Sequence, residues 1–528
     1  MTWVRGDDID RADRVFPRFE MTSSLGSSTW PQIIQGGMGV GVSGWQLARA
    51  VAVTGQLGVV SGVALDTLMV RRLQLGDPGG HIRRALTSFP DAAIAEQIVD
   101  RYHVAGGIGP EQPFRLAARP SLHPSRRTTE LVVAANFVEV FLAKDGHDEK
   151  IGVNYLEKLQ MTTPAAVYGA MLAGVDYVLV GAGIPAAFPA LLDALAAGRT
   201  GSIAVDVVGA GSGPSCVEIH PEVVSGAPAE LGRPTFLAIV ASHVLATYLA
   251  RDPRTQPDGF VVEGPAAGGH SAPPRGPLTV DDDGQPVYGS RDMADLEKVA
   301  SFGLPYWLPG AYASPEALRA ARSAGAAGIQ VGSAFALSEE SGFDPQLKHV
   351  IIERARSRTL RVRADPLASP TGFPFKVADL AGTATDAAVH ARRRRVCDAG
   401  YLRVPYREPG GEIGYRCPAE PVRAYVRKGG NENDTVGRHC LCNSLIAAVG
   451  LGQRRRDARV EPALVTMGPD LSFLPRLPGA GGGTYRAADV VSYLLEDVDD
   501  VNGHDDKSAC PATAARHVAP SSAVTTRK

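Results

Sequence analysis

Three octapeptides share one frame: "GQLGVVSG" (55–62), "GVDYVLVG" (174–181) and "GAAGIQVG" (325–332). Each sets a glycine seven residues before another, around an apolar, β-branched core. The first glycine suits the C-cap of a helix and the second a tight turn after a strand. Runs of the same kind recur at Gln32–Gln35, Leu57–Val60, Lys150–Asn154, Tyr177–Val180, Phe236–Val240, Gly259–Glu263, Pro305–Leu308 and Gly328–Val331, with amphipathic helical segments between them. Continuously apolar strands alternating with helices indicate parallel strands covered on both faces. Eight of them favour a closed (β/α)8 TIM barrel of the α/β class over an open sheet. The spacing is too irregular for a solenoid or a propeller.

Some segments fall outside eight plain repeats. Ile203–Asp206 is a surplus strand and reads as a hairpin insertion. Residues 66–149 hold more helical pattern than one crossover needs, so a helical insertion is expected between strands two and three. The expected organisation is an N-terminal arm over 1–30, the barrel over 31–390, a C-terminal subdomain over 391–500 where arginines, cysteines and glycine-rich loops gather, and a polar, disordered tail over 501–528.

Composition bounds the function. The chain has 528 residues, 44% hydrophobic and 21% charged, enough for a large core without disulfides. A net charge of −2 leaves no electrostatic footprint for nucleic acid or an anionic membrane. No apolar run approaches the ~20 residues of a membrane span, and the N-terminus carries early acids with no apolar leader. Six cysteines are too sparse for a disulfide scaffold, so a reducing, cytoplasmic setting is expected. Oligomeric state is not legible.

In a barrel of this kind the site lies at the C-terminal strand ends. There the sequence places Gly36-Gly37-Met38, Gly181-Ala182-Gly183, Gly268-Gly269-His270, Gly310-Ala311 and Gly332-Ser333. Glycine lets main-chain N–H groups approach a phosphate or a flat ring without a Cβ in the way. The plain alternative is that these glycines only make short turns. His270 follows two glycines at a strand end, with room to enter a pocket. Its ordinary pKa near neutrality lets it move a proton or donate a hydrogen bond to a nitro or carbonyl oxygen.

The ordered set "IIQGGMG", "GVN", "GGHSAPPRG", "LPGAYASPEAL" and "GIQVGSAFALSEES", spread over residues 31–350, resembles the nitronate monooxygenase (2-nitropropane dioxygenase) family of FMN-dependent barrels. That family is in turn similar to FMN-dependent enoyl reductases. The resemblance implies an FMN cofactor, with Gly36, Gly37 and Met38 facing its ring and Asn154 bonding its edge. Gly268 and Gly269 would form the open backbone before His270. Gly310, Ala311, Gln330, Val331, Gly332 and Ser333 would hold the ribityl chain and phosphate. Ala311 stands where a second glycine is usual. His270 would be the catalytic residue, over the substrate. The implied reaction oxidises alkyl nitronates, and nitroalkanes, by dioxygen to carbonyl compounds and nitrite. The alternatives are an NAD(P)H-dependent enoyl reductase of fatty-acid or polyketide synthesis, with an acyl carrier protein as partner, and a flavin-binding scaffold subunit.

Weaker candidates are Asp176, Glu157 and Lys158; Lys158, near the end of strand three, could attract a nitronate or flavin anion, and a solvated helix start is the blander reading of Glu157 and Lys158. Cys397, Cys417, Cys440 and Cys442 could bind zinc, but no Cys-x-x-Cys pair occurs, so no metal is expected. Arg392–Arg395 reads as a solvated face at a domain junction, or as a patch for a phosphorylated carrier.

Overall fold

The computed structural model describes residues 30–209, 215–457, 459–478 and 483–496. Eight parallel strands form its central sheet: β1 (Ile33–Gln35), β2 (Gly58–Ser61), β3 (Ile151–Leu156), β4 (Tyr177–Gly181), β5 (Thr235–Val240), β6 (Gly259–Val262), β7 (Tyr306–Pro309) and β8 (Gly328–Val331). Their order, β1-β8-β7-β6-β5-β4-β3-β2, is the chain order wound once around. The circle closes where Ile34 bridges Leu57, with Gln35 N donating to Leu57 O at 2.9 Å and Leu57 N to Ile33 O at 3.1 Å. A closed sheet leaves no edge open to another strand. The barrel expected from the sequence is the fold observed.

Both faces of the sheet are buried, as its continuous apolar strands require. Ile34, Val59, Leu179, Leu237, Val261 and Trp307 point into the barrel and are fully buried as one cluster. The alternate residues, among them Ile33, Val60, Val153, Val178 and Phe260, pack outward against the helices. The helix Pro315–Ser323 shows how a module is built. Ser314 caps it by accepting from Ala317 N, Pro315 sits in its first turn, and the chain leaves it through Gly325 at φ +88°.

The repeated glycines divide by cause. Gly55, Gly174 and Gly325, the first of each frame, have φ of +79°, +72° and +88°, the left-handed C-cap conformation expected of them. The second glycines do not share it. A Cβ on Gly62 would stand 2.2 Å from the Tyr155 ring, and one on Gly181 would stand 3.0 Å from Ile239 Cβ. Those positions need glycine for space.

Four α-helices, Leu65–Gln74, His81–Thr87, Ala92–Tyr102 and Arg126–Lys144, fill the segment between β2 and β3. The surplus strand is half of an antiparallel hairpin, Gly201–Val205 with Ser215–Ile219. Beyond the barrel the chain returns over its mouth. The hairpin Arg361–Asp365/Phe375–Asp379 is followed by Val404–Arg407/Ile413–Arg416 and the helices Leu441–Ala447 and Ala487–Leu494. Phe473, Tyr485 and Val490 belong to the same apolar cluster as the barrel's outer layer, and Tyr485 OH donates to Ala334 O at 2.7 Å. The arm expected over 1–30, Trp30 apart, and the tail expected over 501–528 lie outside the described residues.

Candidate functional site

A cavity of about 250 Å³ opens at the C-terminal ends of the barrel strands. It gathers Gly36, Gly37 and Met38 after β1, Asn154 from β3, Gly268, Gly269 and His270 after β6, Gly310 and Ala311 after β7, and Gln330, Val331, Gly332 and Ser333 at β8. The residues expected to hold the flavin, and His270, therefore line one cavity. Gly181 and Ala182 line it as well.

Local hydrogen bonding fixes the first loop. Gln35 accepts from Val59 N at 2.9 Å through Oε1, while its Nε2 donates to Ser43 Oγ at 2.8 Å. Ser43 Oγ in turn donates to Gly36 O and accepts from Met38 N, each at 2.9 Å. The Gly36–Met38 backbone is thus held from behind, with its inner side left to the cavity. A Cβ on Gly37 would fall 2.3 Å from Asn154 Cβ, so only glycine lets this loop lie against β3. Gly310 has φ +83°, and a Cβ there would meet Ala267 N at 2.7 Å. The next residue, Ala311, holds φ +60°, the left-handed conformation that a glycine adopts without cost.

Gly332 differs. Its φ is −108°, and a Cβ there would have only Met38 Sδ, at 3.6 Å, and Met38 Cγ, at 3.9 Å, nearby. Neither backbone strain nor protein packing demands glycine at this position. What it leaves open is cavity. Beside it, Gln330 Oε1 is a buried acceptor with no hydrogen-bond partner among the described residues, and Thr466 Oγ1, on the same cavity, is a buried hydroxyl with none. Buried polar atoms are almost always partnered. A flat heterocycle carrying N–H donors and a phosphate meets both needs: its ring edge pairs with the orphaned acceptor, and its phosphate takes the open Gly332-Ser333 backbone. The residues present fit FMN.

His270 is shaped by burial. Its Nε2 lies 2.8 Å from Ser369 Oγ, and its ring meets Phe375 edge-on at 4.7 Å. Desolvation, with Lys158 adding repulsion, pulls its pKa down to about 4. The imidazole is therefore neutral at pH 7, a hydrogen-bonding group and a weak base. The openness of Gly268 has a protein cause: a Cβ would strike Gly468 N at 2.8 Å, because the C-terminal chain crosses here. Ser271 N donates to Pro374 O, and Lys376 N to Gly269 O, stitching that crossing together.

Sequence reasoning missed Glu263. It closes the apolar strand β6 and lines the cavity, and burial pushes its pKa up to about 7. Its carboxyl makes no hydrogen bond or ion pair among the described residues. It is also the one residue shared with a smaller cavity behind, where Arg275, Tyr288 and Asp292 sit. Lys376, itself lowered to about 8 by burial, faces it and donates to Pro265 O. A lone acid ending an apolar run was the available signal. Thr466, Met467 and Phe473 also line the cavity, from segments with no motif.

The weaker candidates resolve separately. Asp176 holds Lys144 at 2.6 Å and Lys150 at 3.1 Å and accepts from Ile151 N, which is a structural brace. Glu157 accepts from Gln160 at 2.7 Å, and Lys158 Nζ lies 3.8 Å from the centre of the Phe373 ring. The cysteines 397, 417, 440 and 442 surround one minute void, with burial raising each thiol's pKa. Among the described residues no group of three His, Cys, Asp or Glu is placed to hold a metal, and no helix is long and apolar enough to cross a membrane.

No family model and no curated protein matches this chain. Among solved structures, it is similar to nitroalkane oxidase from Streptomyces ansochromogenes at 14% identity and TM-score 0.40, covering 89% of this chain and 96% of that one. It is similar to FabK from Thermotoga maritima at 19% identity and TM-score 0.34, covering 66% and 70%. The enoyl reductase domain of MlnA from Bacillus amyloliquefaciens follows at 12% and 0.35, covering 67% and 64%. Likenesses this distant assign neither activity nor ligand to this chain.

Proposed function

We propose that the protein is a flavin-dependent oxidoreductase that oxidises alkyl nitronates and neutral nitroalkanes to carbonyl compounds and nitrite, with FMN as cofactor and dioxygen as oxidant. One observation carries the flavin assignment: side-chain-free backbone at Gly36 and Gly332 lies beside the orphaned acceptor of Gln330 in one cavity. Gly36, Gly37, Met38 and Asn154 would hold the ring, and Gly310, Ala311, Val331, Gly332 and Ser333 the ribityl phosphate. When bound, the flavin supplies electron-acceptor chemistry that no side chain here can perform.

The chain's own groups divide the remaining work. A neutral His270, anchored by Ser369, orients an oxygen of the nitro group. Glu263, with a pKa near 7, is the group matched to removing the proton from the carbon of a neutral nitroalkane. The role of base passes from His270 to Glu263, since an imidazole of pKa about 4 has little affinity for that proton. A pre-formed nitronate needs no base.

The same buried acid favours a second reading. A carboxyl still protonated near pH 7 can donate to the carbon of a reduced enoyl substrate, as an enoyl reductase requires. The sign of the pH dependence separates the two. A base raises the rate as pH climbs through 7, and an acid lowers it. Anaerobic mixing gives an independent answer: flavin bleached by nitroalkane and not by NAD(P)H supports oxidation, the reverse supports enoyl reduction, and bleaching by neither supports a scaffold.

A further inference from the structure

A second hollow, larger than the barrel cavity, lies outside the barrel mouth. It is a groove of about 730 Å³ whose arginines come from two segments, Arg392, Arg393 and Arg394 from one and Arg455, Arg456 and Arg459 from the other. Its charges do not cancel. Arg393 pairs with Glu461, Arg455 with Asp398 at 2.5 Å, and Arg459 with Asp457. Arg392 donates to Ala388 O, at 3.1 Å, and acts on Asp386 only through space. Arg394 and Arg456 are exposed and have no partner among the described residues. Two guanidiniums, those of Arg394 and Arg456, are thus left without a carboxylate around one concavity, with Arg392 beside them in no ion pair.

The walls between them are apolar, formed by Val389, Val396, Val460 and Pro462. The guanidinium fork matches phosphate oxygens in pairs and is weakly hydrated, so it binds phosphate better than a solvated ammonium does. The groove is much larger than a bare phosphate and falls in the size range of small-molecule sites. No residue of it lines the barrel cavity, although the two share a wall: Ala447 and Ala463 face the groove, while Leu445 and Thr466 face the cavity.

We propose that this groove is a second binding site, for a small organic phosphate whose phosphoryl group meets Arg392, Arg394 and Arg456 and whose organic body lies on Val389, Val396 and Pro462. A net charge of −2 for the whole chain, with the arginines confined to a concavity, disfavours a nucleic-acid backbone as the occupant.

The test is calorimetric titration of the full chain with AMP and with inorganic pyrophosphate, at low and high salt. Wild type, R394E/R456E, Val389→Asp and Gly332→Val are compared, with thermal melts confirming that each is folded. Saturable binding of both probes is expected, weakened at least about tenfold in R394E/R456E, as for lost charge-assisted contacts. Val389→Asp should weaken AMP more than pyrophosphate, and Gly332→Val should change neither, which separates the groove from the barrel cavity. Absence of saturable binding overturns the proposal, as does equal binding by wild type and a folded R394E/R456E. Loss of binding in Gly332→Val instead would place the anion in the barrel cavity and also refute it.

Discussion

Two hollows share one wall of this protein and differ in how they treat charge. The barrel cavity is lined by bare backbone and apolar side chains, and desolvation moves two of its groups, Glu263 up to about 7 and His270 down to about 4. The arginine groove is open and carries arginines that no ion pair neutralises, and its one perturbed acid, Glu461, is tied to Arg393 and Arg455. The difference lies in what desolvation does. It turns Glu263 into a proton carrier within reach of pH 7 and His270 into a neutral hydrogen-bonding group, while exposed arginines keep full charge and can only attract. On the proposed reading, chemistry belongs to the first hollow and capture to the second.

The largest effect expected is on Glu263. Glu263→Gln should cut turnover on a neutral nitroalkane by ~10²–10⁴, the usual contribution of a positioned base. It should also erase the rise in rate near pH 7, while turnover on pre-formed nitronate changes far less. Steady-state pH profiles with both substrates check this; equal losses on both would make Glu263 a positioning residue.

His270→Ala should cost less, about 10–100-fold, the scale of a hydrogen bond to a charged oxygen. The loss should appear on nitronate and nitroalkane alike, with the limb near pH 7 retained. Disappearance of that limb in His270→Ala would return the role of base to the imidazole.

A smaller effect concerns stability. In the fold Glu263 keeps its proton to about pH 7, whereas an unfolded glutamate releases it near its ordinary 4.5. The folded state therefore binds the extra proton between those values, and this group's contribution to stability is lost as pH rises through 7. Glu263→Gln should melt about 1–2 °C higher than wild type at pH 8, with the gain vanishing at pH 4.5. A gain independent of pH would mean that ionisation is not its source. Smallest of all, C440S/C442S should leave flavin content unchanged, and metal analysis of the wild type should find no stoichiometric zinc.

The barrel was legible because each strand is a short apolar run ending in glycine, and that pattern has few other uses. The strand-end site was legible for the same reason. What the sequence concealed came from long-range crossing. Gly268 looked open for a ligand, yet Gly468 packs on it. Glu263 stood in plain view at the end of its strand, but its titration depends on burial beneath a hairpin more than a hundred residues later. The depressed pKa of His270 likewise needs Phe375 and Lys158, neither of which any local pattern ties to it.

The central claim is that unhindered backbone at Gly332 receives the phosphate of FMN. Fluorescence titration of the flavin-free protein with FMN and with riboflavin, in wild type and in Gly332→Val, tests it most directly. Wild type should bind one FMN per chain, about 100-fold or more tighter than riboflavin, as several charge-assisted contacts to a phosphate imply. Gly332→Val should fold normally and lose that preference. Equal affinity for the two flavins in wild type, or an FMN preference untouched by the valine, would contradict the account.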